Sequence, residues 1–526
     1  MVFMYPRGPS GGEQCPRSME YRERRGKRQG QGVAGAPEAP FHGAATIGAK
    51  EVQPDLEAGD PCFPDEARYQ PERKARGQGN RGEGGISGRK AALWRQGREP
   101  EEARMRTIDD FTRPLEYVSP MDGLLGSIFR DWVEREVMPY RRQFDEDYRD
   151  HHLIHPPFKK LLGEYGLQRM IFPEDLGGWG MGRSNYMCTA AFRMFEEIAR
   201  ADTGMALAFG ALFWPFLFIA LEPHENRRLL EEFAPMFCET TEAVFAALCM
   251  TEPQGGSDIE NIEIVKGSTI RTTAVLDGDE WVINGHKLWP SNTGGLARLM
   301  AVVCTTNPGS DDPRDIAVIY VTSDTPGVTQ GPPYEKAGMA ADMNSDVWLE
   351  NVRVPSWYRA CGPGDDAKYF GEIMSTGNMG IIAWISGAMM NIYERLTEFV
   401  NRKKFRGLPL KENDAVAGVL ADFAANIEAI RIVGYQCARM CDRHDLYGPL
   451  WDPGLVAKMR AQRYLAMDRF IEVTGRVMNL MECFGADRDW DVEKHWRDLK
   501  ILQLVEGSKQ LCQIETARWF YECTTL

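Results

Sequence analysis

No two of the twelve cysteines are spaced as C-x-x-C, and none stands with histidine at metal-ligand spacing. Cys437 and Cys441 lie one helical turn apart, which on a helix makes them core neighbours. With 25 methionines and scattered thiols, the expectation is a reducing compartment and no metal site. Long hydrophobic runs are scarce too. The first hundred residues hold no apolar core for a signal peptide, and no transmembrane span is expected anywhere. The most apolar stretch, MALAFGALFWPFLFIALEP, is interrupted by Pro215 and loosened by Gly210, so it reads as a core helix. A basic face is also missing. The chain carries −14 overall, and its first hundred residues hold 17 Lys and Arg against 13 Asp and Glu, leaving −18 on the rest. An acidic body argues against binding nucleic acid or an anionic membrane.

What those first hundred residues do contain is 17 Gly and 10 Pro without a repeat, the composition of low-complexity or disordered sequence. The Arg-rich YRERRGKR at 21–28 faintly suggests a transit peptide, but Glu13, Glu20 and Glu23 are interleaved and no amphipathic period is present. Residues 1–104 are therefore expected to be a disordered or mistranslated extension, with the true start at Met105. Glu101-Glu102 would be encoded by purine-rich codons resembling a ribosome-binding site. Intact residues 1–100 in N-terminal sequencing of the native protein would end that idea.

Beyond Met105 the hydrophobic period changes twice. Segments such as LLGSIFRDWVEREVMPYRRQF and YMCTAAFRMFEEIARA repeat apolar residues every three or four positions, predicting a helical domain over 105–246. From there RTTAVLDGDEWVINGHKLW alternates and contains Asn284-Gly285, a strong short hairpin signal. AVVCTT, IAVIYVTS and VWLENVRV add strands to a β domain over 247–365. The helical period returns over 366–526.

Four local motifs carry chemistry. Met250-Thr251-Glu252-Pro253-Gln254-Gly255-Gly256-Ser257-Asp258 offers backbone N–H groups and hydroxyls to a polar ring or phosphate, though a strand-end turn would look the same. Trp289-Pro290-Ser291 puts an indole beside a hydroxyl, where a lone Trp is commonly core. Arg402-Lys403-Lys404-Phe405 could neutralise a diphosphate, or be a solvated basic face. Glu506-Gly507-Ser508 sets a carboxylate among Ile501, Leu502, Leu504 and Val505. Desolvation there would raise its pKa toward neutrality and suit it to take a proton from carbon, although Glu before Gly is also ordinary helix punctuation.

In this order and at these separations the motifs resemble the acyl-CoA dehydrogenase family, over roughly residues 108–520. FPEDLGGWG at 172–180, FEEIARAD at 195–202, GMAADMNSDVWLENVRVP at 338–355 and VEKHWRDLKILQLVEGS at 492–508 support the resemblance. It implies a mainly α fold with a central β domain: an N-terminal helical domain, a middle β-barrel-like domain and a C-terminal four-helix bundle, with FAD between them. It implies that Leu248, Met250, Thr251 and Ser257 line the flavin ring, Ser257 also lying near bound acyl-CoA. Trp289 would cover the ring, with Pro290 and Ser291 beside it. Arg402 and Phe405 would reach the diphosphate, while Glu482, Gly485 and Ala486 of a neighbouring subunit meet the adenosine side. Ser508 and Gln510 complete the cofactor pocket. Thr376, Gly377, Asn378 and Gly507 would border the acyl group, and Glu506 would remove the α-proton. The activity implied is oxidation of an acyl-CoA thioester to the 2,3-enoyl-CoA, an oxidoreductase reaction on a CH–CH group. The electrons would pass to an electron-transfer flavoprotein, and the enzyme would be a homotetramer in a bacterial cytoplasm rather than a mitochondrial matrix.

Several positions depart from the family pattern. The usual Gln and paired Gly read Glu482-Cys483-Phe484-Gly485-Ala486 here, another usual Gln is Asp414, and the RKxFG motif is disturbed. An Arg common on the first bundle helix is replaced at Gly377 or Asn378, and the alternative base position on that helix falls at about Thr376. Glu506 is thus the sole candidate base, and branched, cyclic or aryl-bearing acyl groups fit as readily as straight ones. Two rivals from other classes are a non-catalytic scaffold or binding subunit of the same fold, and an acyl-CoA oxidase.

Overall fold

The computed structural model describes residues 107–147, 154–257, 259–260 and 269–520. The extension expected over 1–104, and Asp258 of the first motif, lie outside these residues. In the N-terminal part, helix α1 (Ile108–Thr112) and α2 (Pro120–Glu136) both start on capping boxes, Thr107 with Asp110 and Ser119 with Asp122. Then come α3 (Met187–Ala201), α4 (Thr203–Ala211), α5 (Trp214–Ala220) and α6 (Arg227–Cys238). The apolar stretch is two core helices broken just before Pro215; 94% of Thr203–Ala220 is buried.

Seven strands form one sheet: β1 (Phe245–Cys249), β2 (Thr273–Asp277), β3 (Glu280–Lys287), β4 (Ala297–Thr305), β5 (Ile316–Thr322), β6 (Val328–Gln330) and β7 (Val347–Pro355). Their order is β1-β4-β2-β3-β7-β6, with β5 antiparallel on β4. One expectation is overturned here. Asn284-Gly285 is not a turn but lies inside β3, at a register shift against β7. The β2–β3 hairpin instead turns at Gly278, whose φ is +67°. Gly285 is there for close approach: a Cβ would stand 2.4 Å from Thr272 Oγ1.

The C-terminal part is α7 (Asp365–Arg402), α8 (Asp414–Asp442), α9 (Pro453–Met481), α10 (Val492–Leu502) and α11 (Ser508–Arg518). The 38-residue α7 packs against α3, α8 and α9 and carries the wall of the cleft described below. Helix α9 begins with Pro453 at its first position, and the Asp452 carboxylate accepts from the N–H groups of Gly454 and Leu455. A buried charge network ties the parts together. Arg431 on α8 donates through Nε and Nη2 to the two oxygens of Glu196 on α3, each at 2.8 Å. Its Nη2 also stands 2.9 Å from Asp109 on α1.

Candidate active site

A cleft of about 560 Å³ opens between the sheet and α7. Its upper wall is the segment after β1. Lys287, at the end of β3, is fully buried and donates to Met250 O at 3.0 Å and Glu252 Oε1 at 2.7 Å. Glu252 in turn accepts from the N–H groups of Arg271 and Thr272. A buried ion pair thus locks the Thr251 segment to the strand that delivers Trp289. That residue takes a left-handed conformation, φ +64°, and half its surface is exposed toward the cleft, with Tyr334 packed on it at 4.1 Å between centroids. Left-handed backbone in a bulky residue persists only where its surroundings hold it. Here Asn344 Nδ2 donates to Trp289 O at 2.9 Å.

The lower wall holds the carboxylate. Glu506, Gly507 and Ser508 have φ of +47°, +84° and +62°, three successive left-handed residues between α10 and α11. Arg463 on α9, fully buried, caps the end of α10 by donating to Leu502 O at 3.3 Å, Glu506 O at 2.6 Å and Val505 O. It also donates to Asn378 Oδ1 at 3.1 Å. These bonds compensate backbone carbonyls that a helix end leaves unpaired. The Glu506 side chain is 10% exposed, and neither carboxylate oxygen has a hydrogen-bond partner among the described residues. Burial pushes its pKa above the usual carboxylate range, against the opposing pull of Arg463 and Arg460; the Arg463 guanidinium is 4.0 Å away. Across from Glu506 lies Gly377 on α7, where a Cβ would stand 2.8 Å from Oε2. Past it, Thr376, Gly377, Phe195, Trp214, Met379 and Trp384 line a smaller, strongly apolar cavity.

Of the residues singled out by sequence, Leu248, Met250, Thr251, Ser257, Trp289, Pro290, Ser291, Glu506 and Gly507 line the cleft, and Thr376 and Gly377 the apolar cavity. Asn378 is buried and engaged with Arg463, so it holds the cap and is not among the residues lining either cavity. Ser508 begins α11, and Gln510 is exposed. Arg402 does not join them. It lies at the far end of α7, 63% exposed, paired with Glu398 at 2.8 Å. Phe405 is exposed nearby, and the Glu482–Ala486 turn packs on the same end of α7 through Phe399 and Phe484, centroids 5.6 Å apart.

A planar, hydrogen-bonding ring system fits the cleft. Trp289 gives it an aromatic face, Thr251 and Ser291 give hydroxyls, and Asp342 presents a buried Oδ1 with no hydrogen-bond partner among the described residues. Lys336 is the only cation among the described residues lining it, so one protomer offers little to neutralise a diphosphate.

Residues 124–220, 247–352 and 368–519 match, in order, the N-terminal, middle and C-terminal domains of acyl-CoA dehydrogenases. The chain belongs to the acyl-CoA dehydrogenase family. It is similar to cyclohexane-1-carbonyl-CoA dehydrogenase of Geobacter metallireducens, 30% identical over 365 residues that cover 68% of this chain and 87% of that protein. Butyryl-CoA dehydrogenase from Megasphaera elsdenii shares the fold, with a TM-score of 0.66 at 22% identity over 77% of this chain and 98% of that one. So does a glutaryl-CoA dehydrogenase from Mycobacterium smegmatis in complex with FADH2, with a TM-score of 0.66 at 18% identity, covering 80% and 99%.

In this member of the family, sequence reasoning missed Arg460, Arg463 and Glu260, all buried around Glu506. The available signal was a pair of Arg residues three apart within the apolar period of α9, where cations need partners. The cationic neighbours of the carboxylate come from α9 instead of the position at Gly377. Gly377→Ala is expected to fold, because the methyl group meets the far end of a flexible side chain, but to displace the Glu506 carboxylate. Misplacement on the order of 1 Å can cost about 10²-fold in rate. Rapid-mixing measurement of flavin reduction by an acyl-CoA checks this; an unchanged rate would mean the carboxylate needs no such space.

Proposed function

We propose that this protein is an FAD-dependent dehydrogenase that converts an acyl-CoA thioester to its 2,3-enoyl-CoA, with Glu506 as the base. The observation that carries the reading is Glu506 itself: a buried carboxylate whose oxygens have no hydrogen-bond partner among the described residues, with a raised pKa and an apolar cavity at its side. The α-hydrogen of a thioester is a weak acid, so its removal needs both a base and stabilisation of the developing enolate oxygen. Glu506 takes the α-proton onto a carboxylate oxygen. Its backbone N–H donates to no carbonyl among the described residues and is available to the thioester oxygen. When bound, FAD supplies the two-electron acceptor for the β-hydride. Arg463 fixes the turn that aims the carboxylate, Gly377 leaves it room, and Trp289 screens the cleft from water. The apolar cavity takes the hydrocarbon part of the acyl group and disfavours a charged tail; branched and cyclic groups are candidates alongside straight ones. The electrons pass on to an electron-transfer flavoprotein, in a bacterial cytoplasm.

Anaerobic titration of the purified protein with a panel of acyl-CoAs tests this. The expected result is a yellow protein whose flavin absorbance bleaches with at least one of them. A colourless protein that FAD cannot reconstitute would favour the scaffold reading, and rapid reoxidation of the bleached flavin by oxygen the oxidase.

Arg402, Phe405, Glu482, Gly485 and Ala486, clustered away from the cleft, serve the diphosphate and adenosine of FAD held by another protomer of a homotetramer. Arg402→Ala is then expected to weaken FAD retention by about 2–3 kcal/mol, the scale of a charge-assisted bond, while the flavin-loaded fraction reacts normally. Equilibrium dialysis against FAD measures it, and unchanged retention would put the diphosphate elsewhere.

A further inference from the structure

Sequence reasoning leaves Glu506 as the sole carboxylate at the reacting centre, yet a second one stands beside it. Glu260 follows the Thr251 segment, lines the same cleft and is 8% exposed. Its Oε2 lies 3.1 Å from where a Cβ on Gly507 would stand, so it rests against the residue next to the base. That oxygen has no hydrogen-bond partner among the described residues.

Among the described residues, the charged and titratable groups around it come from three elements. Helix α9 supplies Arg460 and Arg463, both fully buried, and Arg460 Nη2 donates to the backbone carbonyl of Glu260 at 2.9 Å. Helix α11 supplies Glu515, which pairs with Arg460 Nη1, and Cys512, a buried thiol whose pKa burial raises. The turn between α10 and α11 supplies Glu506. Among the described residues Arg460 is engaged by Glu515, and Glu260 and Glu506 lie side by side near Arg463. Two neighbouring buried carboxyls repel when both ionise, which such a site avoids by keeping a proton on one of them.

Geometry says where that proton sits. Glu515 is in ion contact with Arg460, and Glu506 has Arg463 at 4.0 Å, whereas the Glu260 carboxyl makes no ion pair among the described residues. We propose that Glu260 is a positioning residue for the base, carrying the proton that the two crowded carboxyls keep, so that the pair and not Glu506 alone sets the pH range in which the α-proton is taken. The proposal rests on the reading of Glu506 as that base. Burial, reinforced by the neighbouring Glu506 charge, pushes Glu260 up to about 8 against the pull of Arg463 and Arg460. Interacting carboxyls lose their protons in two macroscopic steps that belong to the pair.

The test is the rate of anaerobic flavin reduction by a reactive acyl-CoA, followed from acid to alkaline pH. Wild type is expected to give two steps, the upper one near pH 8. Glu260→Gln, isosteric but unable to ionise, is expected to give one step at lower pH. Glu260→Asp keeps a carboxyl and is expected to keep two steps. A merely structural Glu260 would change yield or stability without removing a titration step. A single-step wild-type profile overturns the proposal whether or not the variants fold, and so does a Gln profile that superimposes on wild type. If Glu506→Gln collapses the rate while Glu260→Gln leaves the profile unchanged, only this proposal falls; if Glu506→Gln keeps the wild-type rate, the base assignment falls first.

Discussion

Glu506→Gln is expected to yield a folded protein that binds FAD and acyl-CoA but barely reduces its flavin. Gln is nearly isosteric, and the contacts that Arg463 makes in this turn go to main-chain carbonyls of Leu502, Val505 and Glu506, which the substitution leaves in place. The backbone N–H offered to the thioester oxygen also survives. What disappears is the proton acceptor, and loss of a general base slows reactions by about 10²–10⁴-fold. Glu260 is expected to give little rescue, because at neutral pH it holds its own proton. Ligand binding, read by perturbation of the flavin spectrum with a non-reducing thioester, should persist while bleaching collapses.

Arg431→Leu is expected to show the largest stability effect. The Arg431 side chain is fully buried and bridges three helices through Glu196, Asp109 and the Thr112 hydroxyl. Removing it leaves Glu196, also fully buried, to Arg193, Ser386 and the Tyr435 hydroxyl among the described residues. Deleting one partner of a buried pair costs about 3–5 kcal/mol, because the remaining charge cannot be resolvated. Burial opposes ionisation of Glu196, yet Arg431 and Arg193 outweigh it and hold its pKa below the usual carboxylate value. That stabilisation is present above the unfolded carboxylate pKa and is lost as pH falls through the lower folded one. Denaturant unfolding of wild type and variant at neutral pH measures the difference. A midpoint unchanged by the substitution would mean the network contributes no net stability.

How far the sequence carried depended on the range of the interactions. Pro215 and the short apolar run IAVIYVTS placed a helix break and a strand because those signals are local. Asn284-Gly285 misled because the dipeptide fits a two-residue turn and a β-bulge equally, and Thr272, pressed against Gly285, decides between them. Glu506 stood out by its apolar neighbours in sequence. Arg463 and Glu260 did not, since Arg463 caps a helix end 39 to 43 residues away and Glu260 meets Arg460 across 200. The two Arg residues three apart in the apolar period of α9 mark a need for partners, but nothing local says which partners they meet. Arg402 was legible as part of a cationic cluster and Glu482 only through the family resemblance, and in one protomer they lie apart from the cleft.

The most direct measurement of the central claim separates proton removal from oxidation. An acyl-CoA analogue with sulfur in place of the β-carbon has α-hydrogens but no β-hydride to give. Incubated with the flavin-loaded enzyme in deuterium oxide, it is expected to exchange its α-hydrogens in the presence of wild type and not of Glu506→Gln. Exchange by the Gln variant at the wild-type rate would contradict the account, because another group would then be taking the proton.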